Sequence, residues 1–183
     1  MKALAPLHNW IVAAFLLLST PLWADEARLD DLFRQLQTAT AEEASQITGM
    51  IWLEWSKSGS PAMDLLLKRG RDAMNAGQPG LAIGHLTALI DHAPDFAEGY
   101  NARATAYFQT GDLGPSVSDI AKTLTLNPRH FGALSGLGMI FEQLNEPEKA
   151  LEVYRAALAI NPHLAQVEDA VKRLETSVGG QDL

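Results

Sequence analysis

This chain of 183 residues has five histidines and 22 acidic residues that could bind a metal or transfer a proton. It has no cysteine. His85 and His92 stand two helical turns apart, and no third ligand follows at a metal-binding spacing. Adjacent acids such as Asp30 and Asp31 point to different sides of a helix, so they do not form an acid–base pair. No nucleophile-elbow or phosphate-loop motif occurs. The sequence therefore predicts no catalytic group, no metal site and no cofactor.

The composition is that of a globular, acidic chain. Apolar residues make up 47% of the sequence, which is enough for a packed core. Because 14 lysines and arginines stand against 22 acids, the basic footprint of a nucleic-acid-binding protein is absent. The same acidity disfavours binding to anionic lipid headgroups. We therefore expect no nucleic-acid partner.

Residues 1–24 have the layout of a secretory signal peptide. Lys2 precedes an apolar run from Trp10 to Leu18, and the small residue Ala24 stands just before a run of acids. The alternative is an uncleaved anchor, although the run is shorter than the roughly 20 residues that span a bilayer. The pattern predicts an exported protein, periplasmic in a Gram-negative cell, or anchored in the inner membrane and facing the periplasm. Membrane contact is expected only during export or through an uncleaved N-terminal segment.

A repeat of about 34 residues organises the rest of the chain. Prolines end three similar stretches at Pro94, Pro128 and Pro162. In rows that begin at Met63, Ala97 and Phe131, small residues fill the eighth and twentieth places: Gly70, Ala104 and Gly138, then Ala82, Ser116 and Ala150. Each row breaks at a turn cluster, and apolar residues recur every three or four places on either side. Each row is therefore predicted to be two helices, which the small residues allow to pack closely.

These rows resemble tetratricopeptide repeats, a family built on a helix-turn-helix unit of about 34 residues. The run "EKALEVYRAALAINP" and the two Asn-Pro endings at 127–128 and 161–162 are typical of it. The resemblance implies an all-α, right-handed α-solenoid of stacked helix pairs that is not an enzyme. The predicted organisation is a signal peptide (1–24), a divergent N-terminal helical pair (25–62), three repeats (63–96, 97–130 and 131–162), a capping helix (163–176) and a flexible tail (177–183).

Several details at the ends of these elements follow from the same pattern. The divergent pair is expected to stack on the first repeat, with Trp52 and Trp55 in its core; the alternative is an aromatic recognition patch. Asp95 and Glu98 have the spacing of a capping box at the start of a helix. His130 follows a repeat-ending proline, where a polar loop residue is ordinary.

The resemblance further implies that the first helix of each pair lines a concave groove for an extended peptide or a partner's helix. Lys68 and Arg71 would form a basic spot there, or both would simply be solvated. Only Arg71 matches the places that grip a partner's C-terminal carboxylate in one subclass, so that mode is not expected. The predicted groove residues are Lys68, Arg71, Glu98, Asn101, Ala102, Thr105, Phe108, Gln109, Ser135, Met139, Glu142 and Gln143.

The predicted function is a non-catalytic interaction or scaffold module of the cell envelope that holds a partner in this groove. An alternative is a structural subunit that self-associates through its ends, for instance by Trp52 and Trp55. A remote third hypothesis is an enzyme, for which the residues nominate no substrate.

Overall fold

A computed structural model describes residues 22–179, which form nine α-helices and no strand within that range. The helices are α1 (Leu22–Leu36), α2 (Ala41–Trp55), α3 (Pro61–Asn75), α4 (Pro79–His92), α5 (Ala97–Thr110), α6 (Leu113–Leu126), α7 (Phe131–Gln143), α8 (Pro147–Ile160) and α9 (Ala165–Gly179). The predicted all-α fold is confirmed. Residues 1–21 and 180–183 lie outside the described residues, so the signal peptide and the flexible tail stay predictions.

None of the described helices combines the length and the apolar composition that a membrane crossing requires.

Each turn inside a repeat is made by a residue with a left-handed backbone. Gly77, Gly111 and Asn145 have φ values of 69°, 82° and 57° at equivalent places of the three repeats. Glycine adopts this conformation without steric cost, and asparagine is the side chain that tolerates it best. Pro79 and Pro147 then open α4 and α8 at a position where no backbone N–H is needed.

The Asn-Pro endings close the second helix of a pair with a local hydrogen bond. The Oδ1 atom of Asn127 accepts the backbone N–H of Arg129 at 3.2 Å, and that of Asn161 accepts the N–H of His163 at 3.0 Å. The proline between them cannot continue a helix. Together the two residues turn the chain into the next element, which explains why they recur at the same phase.

The small residues at the eighth place allow the two helices of each pair to touch. A Cβ atom at Gly70 would lie 2.6 Å from Leu86 Cγ, and one at Gly138 would overlap the ring of Tyr154. In the second repeat the carbonyl of Ala104 accepts the hydroxyl of Ser116 at 2.8 Å. The predicted close approach is therefore present in all three repeats.

The N-terminal hairpin of α1 and α2 is placed differently from the prediction. It does not stack on α3. Its core, which includes Leu36, Ile51 and Trp55, closes instead on Phe131 at the start of α7. The physical reason is the burial of apolar surface: Phe131 is 1% exposed in this cluster, and Ile160 and Leu164 also pack against it.

Polar contacts attach the same hairpin to the loop between α8 and α9. The amide of Asn161, which is fully buried, donates to Thr48 Oγ1 at 3.2 Å. His163 Nε2 bonds the carbonyl of Leu36 at 3.0 Å, and Gln37 donates to the carbonyl of Ile160 at 2.9 Å. The hairpin thus joins the third repeat although the first repeat follows it in the chain.

We expect the glycines at 138 and 84 to respond oppositely to alanine. Gly138→Ala should lower the free energy of unfolding by about 1–3 kcal/mol, because the new methyl collides with Tyr154. Gly84→Ala, inside α4 with nothing within 4 Å of the added Cβ, should raise it by about 0.5–1 kcal/mol. Urea denaturation followed by circular dichroism measures both. Equal effects of the two variants would contradict the packing described above.

Candidate functional site: the concave face

The inner layer of the array consists of α3, α5 and α7, which lie side by side. Two cavities open on this face. The first, of about 500 Å³, lies between the end of α2 and the pair α3 and α5; the second, of about 210 Å³, lies between α5 and α7. Asn101 and Thr105 line both cavities, so the two lie next to each other on this face, and we refer to them together as the channel.

The two tryptophans of α2 pack against the start of α7, and Trp52 also lines the first cavity. Trp55 stacks on the ring of His130 with centroids 4.3 Å apart and an angle of 18° between the planes. Trp52 lies against the backbone of Gly132, where an added Cβ would be only 2.5 Å from Trp52 Cη2. The interpretation of both residues as core is confirmed, since Trp55 is 8% exposed and Trp52 packs against the same cluster. Both rings are engaged within the chain, which argues against self-association through them.

Beneath the tryptophans lies a buried carboxylate, that of Glu98. It is 3% exposed and accepts hydrogen bonds from Arg71 at 2.5 Å and from Asn101 Nδ2 at 3.2 Å. His130 Nε2 lies 2.9 Å from the second carboxylate oxygen. Because His130 Nδ1 accepts the backbone N–H of Ala133 at 3.0 Å, its Nε2 carries the proton and donates to Glu98. The charge of Glu98 is thus balanced by Arg71, as a buried carboxylate requires.

This arrangement corrects two predictions about charged side chains. Glu98 does not cap its own helix with Asp95: α5 begins after Phe96 without a side-chain cap bond. Lys68 and Arg71 do not form a free basic spot either, because exposed Lys68 pairs with Asp72 at 2.6 Å and Arg71 is held by Glu98. Glu98, whose spacing from Asp95 suggested a helix cap, instead places its carboxylate under the hairpin.

The predicted groove residues separate into three groups. Buried ones form the floor under the hairpin: Glu98, Asn101 and Ala102. Accessible ones line the channel: Arg71, Thr105, Phe108, Ser135 and Met139. The remaining ones lie outside both cavities: Lys68, Gln109, Glu142 and Gln143.

Glu142 forms hydrogen bonds to two other helices. It accepts the hydroxyl of Tyr154 at 2.8 Å and the guanidinium of Arg173 at 2.5 Å. The hydrogen bond from Arg173 holds the pKa of Glu142 below its ordinary value. It therefore joins α7 to α8 and α9 rather than offering a contact in the channel.

Sequence reasoning missed the residues that the hairpin contributes to the channel. Gly49, Trp52, Leu53 and Ser56 of the α2 end line the first cavity. It also missed His130, which was predicted to be an ordinary loop residue but is fully buried. The available signal was its position just before Phe131, where a side chain can cap the next helix.

Family models identify the same units. Tetratricopeptide repeat models match residues 67–114 and 132–164. A TPR repeat-containing protein of Rhizobium etli is 36% identical over 154 residues, which cover 84% of this chain and 76% of that protein. The chain belongs to the tetratricopeptide repeat family. It is also 29% identical over 92 residues to Hsp70-Hsp90 organizing protein 1 of Glycine max, of which it spans 16%.

Solved structures share the fold at low identity. The first TPR domain of Spaghetti, bound to an HSP90 peptide, matches with a TM-score of 0.62 and 22% identity, over 66% of this chain and 95% of that one. MamA matches with a TM-score of 0.60 and 20% identity, over 88% of this chain and 86% of that one. The comparisons support protein–protein interaction as the function of this tetratricopeptide repeat protein.

We expect Gly132→Ala to detach the hairpin from the repeats. The added methyl would occupy the place of the Trp52 ring edge, whereas Gly136→Ala, one turn further along α7, would meet only Ile120 Cδ1 at 3.8 Å. Amide hydrogen exchange in residues 41–56 should become about tenfold faster in Gly132→Ala, equivalent to about 1.4 kcal/mol of lost docking. Gly136→Ala should leave it unchanged. Unaltered exchange in both variants would show that the Trp52 contact does not hold the hairpin.

Proposed function

We propose that this chain is a non-catalytic interaction module of the cell envelope that binds an extended segment of a partner protein in the open channel of its concave face. The observation that carries the proposal is that two neighbouring cavities, which share Asn101 and Thr105, open on the same face of α3, α5 and α7. The channel passes Leu53 and Met139, which are 57% and 49% exposed. Exposed apolar side chains beside a cleft are typical of a docking surface.

The charge arrangement favours an internal segment of the partner over a chain end. The cation on the channel, Arg71, already pairs with Glu98, so a partner's terminal carboxylate would have to compete with that buried ion pair. The other charged group on the first cavity is Glu98 itself. A neutral stretch of polypeptide therefore matches the channel better than an acidic tail.

The proposed location rests on the pattern of residues 1–24, that is, on a basic start, an apolar run and Ala24. Cell fractionation, followed by sequencing of the mature N-terminus, tests it. An intact chain in the cytoplasmic fraction would remove the cell-envelope part of the proposal and leave the channel unaffected.

We expect a charge placed in the channel to weaken partner binding. Thr105 is exposed and lines both cavities. Thr105→Glu should weaken binding at least tenfold, since a carboxylate buried in an apolar contact costs more than about 1.4 kcal/mol. Ser118→Glu is the matched control, because it adds the same charge to an exposed site on α6.

The measurement begins with capture from periplasmic extract by the wild-type chain and identification of the partner. Calorimetry with the purified partner then compares the two variants. Equal affinity of Thr105→Glu, Ser118→Glu and wild type would show that the partner binds elsewhere.

A second candidate is self-association through the first repeat. The hairpin does not cover the outer side of that repeat, and Leu65 of α3 and Leu81 of α4 are 47% and 52% exposed there. Terminal repeats normally need a polar cap for solubility. If this candidate holds, sedimentation equilibrium should give a mass that rises with concentration for wild type and stays monomeric for Leu65→Lys/Leu81→Lys. A monomer at all concentrations for both chains would exclude it.

A further inference from the structure

We propose that the smaller cavity, of about 210 Å³ between α5 and α7, is a socket for one large apolar side chain of the partner segment, such as leucine, methionine or phenylalanine. The inference rests on the proposed function and specifies the chemistry of the partner at one place in the channel.

The shape of the socket comes from two glycines one turn apart on α7. Trp52 of the chain itself is seated at Gly132, where a Cβ would come within 2.5 Å of the indole. At Gly136 the corresponding space is open, and a Cβ would meet only Ile120 Cδ1 at an ordinary contact distance of 3.8 Å. The same helix face therefore has one occupied and one open place for a side chain. The occupant of the first place, a large apolar ring, shows what kind of group this face accepts.

The lining of the socket is uncharged throughout. Its apolar walls include Phe108, Ile120, Met139 and Ile140, and its polar groups are neutral. Burying a charged side chain here would leave it without a counterion, so the lining favours an apolar occupant. The cavity volume of about 210 Å³ is of the order that a large apolar side chain needs.

A polar atom at the rim indicates that the occupant is a peptide rather than a lipid chain. Asn101 is 9% exposed and lines both cavities. Its Nδ2 donates to Glu98, while its Oδ1 accepts no hydrogen bond from any residue that the structure describes. A main-chain N–H beside the buried side chain of a partner would satisfy this acceptor. Hydrocarbon alone would leave it unpaired.

The experiment titrates the full chain with N-acetyl-leucinamide and N-acetyl-phenylalaninamide, and follows the methyl signals of Ile120, Met139 and Ile140 by NMR. Saturable shifts are expected with both compounds. N-acetyl-glycinamide, which has the N–H groups without the side chain, and toluene, which has the ring without the N–H, should bind at least tenfold more weakly. Absence of saturable shifts with the leucine and phenylalanine compounds would overturn the socket, and equal binding of toluene would overturn the role of Asn101.

Gly136→Leu is the decisive variant, because its own side chain should fill the socket from the α7 side. Its affinity for N-acetyl-leucinamide should fall at least tenfold, while Gly84→Leu, the same change at an open site on α4, should bind as wild type does. Gly136→Ala fills less of the cavity, because it adds only one methyl at an ordinary contact distance. Undiminished binding by Gly136→Leu, or by Gly136→Ala if the leucine variant does not fold, would place the ligand elsewhere.

The outcomes separate this inference from the proposed function. If Thr105→Glu abolishes partner binding and Gly136→Leu does not, the channel holds the partner and the socket is wrong. If the leucine compound binds at Gly136 while neither variant affects the partner, the socket exists and the partner uses another surface.

Discussion

The structure depends on how closely neighbouring helices can approach one another. At three places on α7 a glycine sets that distance, because it has no side chain. Gly138 admits the ring of Tyr154 and so closes the third repeat. Gly132 admits Trp52 and so lets the N-terminal hairpin lie across the inner face, while Gly136 leaves space that the described residues do not fill. A single β-carbon at either of the first two positions would separate surfaces that now exclude water. Repeat packing, hairpin docking and the open cavity between α5 and α7 thus follow from one physical condition, the absence of a β-carbon at these positions.

Burial of Glu98 connects the packing to the function. Without the hairpin, the floor of the groove would present a carboxylate, a guanidinium and an imidazole to the solvent. The indole of Trp55 covers the His130 ring, and the charges of Glu98 and Arg71 balance one another beneath the hairpin. Pairing makes this burial tolerable rather than strongly stabilising. The consequence is that neither charge on the lining of the first cavity, that of Glu98 or that of Arg71, is left without a partner.

The repeat architecture was predictable because it depends on local rules that a sequence displays directly. Prolines at equal intervals stop helices, left-handed turns need glycine or asparagine, and Gly70 and Gly138 recur in register with the bulky residues that they face. The hairpin was predictable only in part. The spacing of Trp52 and Trp55 indicated that they would be buried. The apolar face of a helix does not indicate which surface will cover it. Thr48 and Asn161, which are 113 positions apart, meet only after the array has formed.

The sequence by itself determined the number, type and phase of the helices, together with the small residues at which the two helices of a repeat approach closely, because these depend on contacts within a single repeat. The tertiary structure decided which groove positions are accessible. Asn101 and Ala102 were placed correctly on the inner face, but both are buried there, Ala102 in a core that α3 and α4 share with α5, and His130 became a buried partner of Glu98. The physical reason is that burial depends on long-range contacts, which local periodicity does not encode.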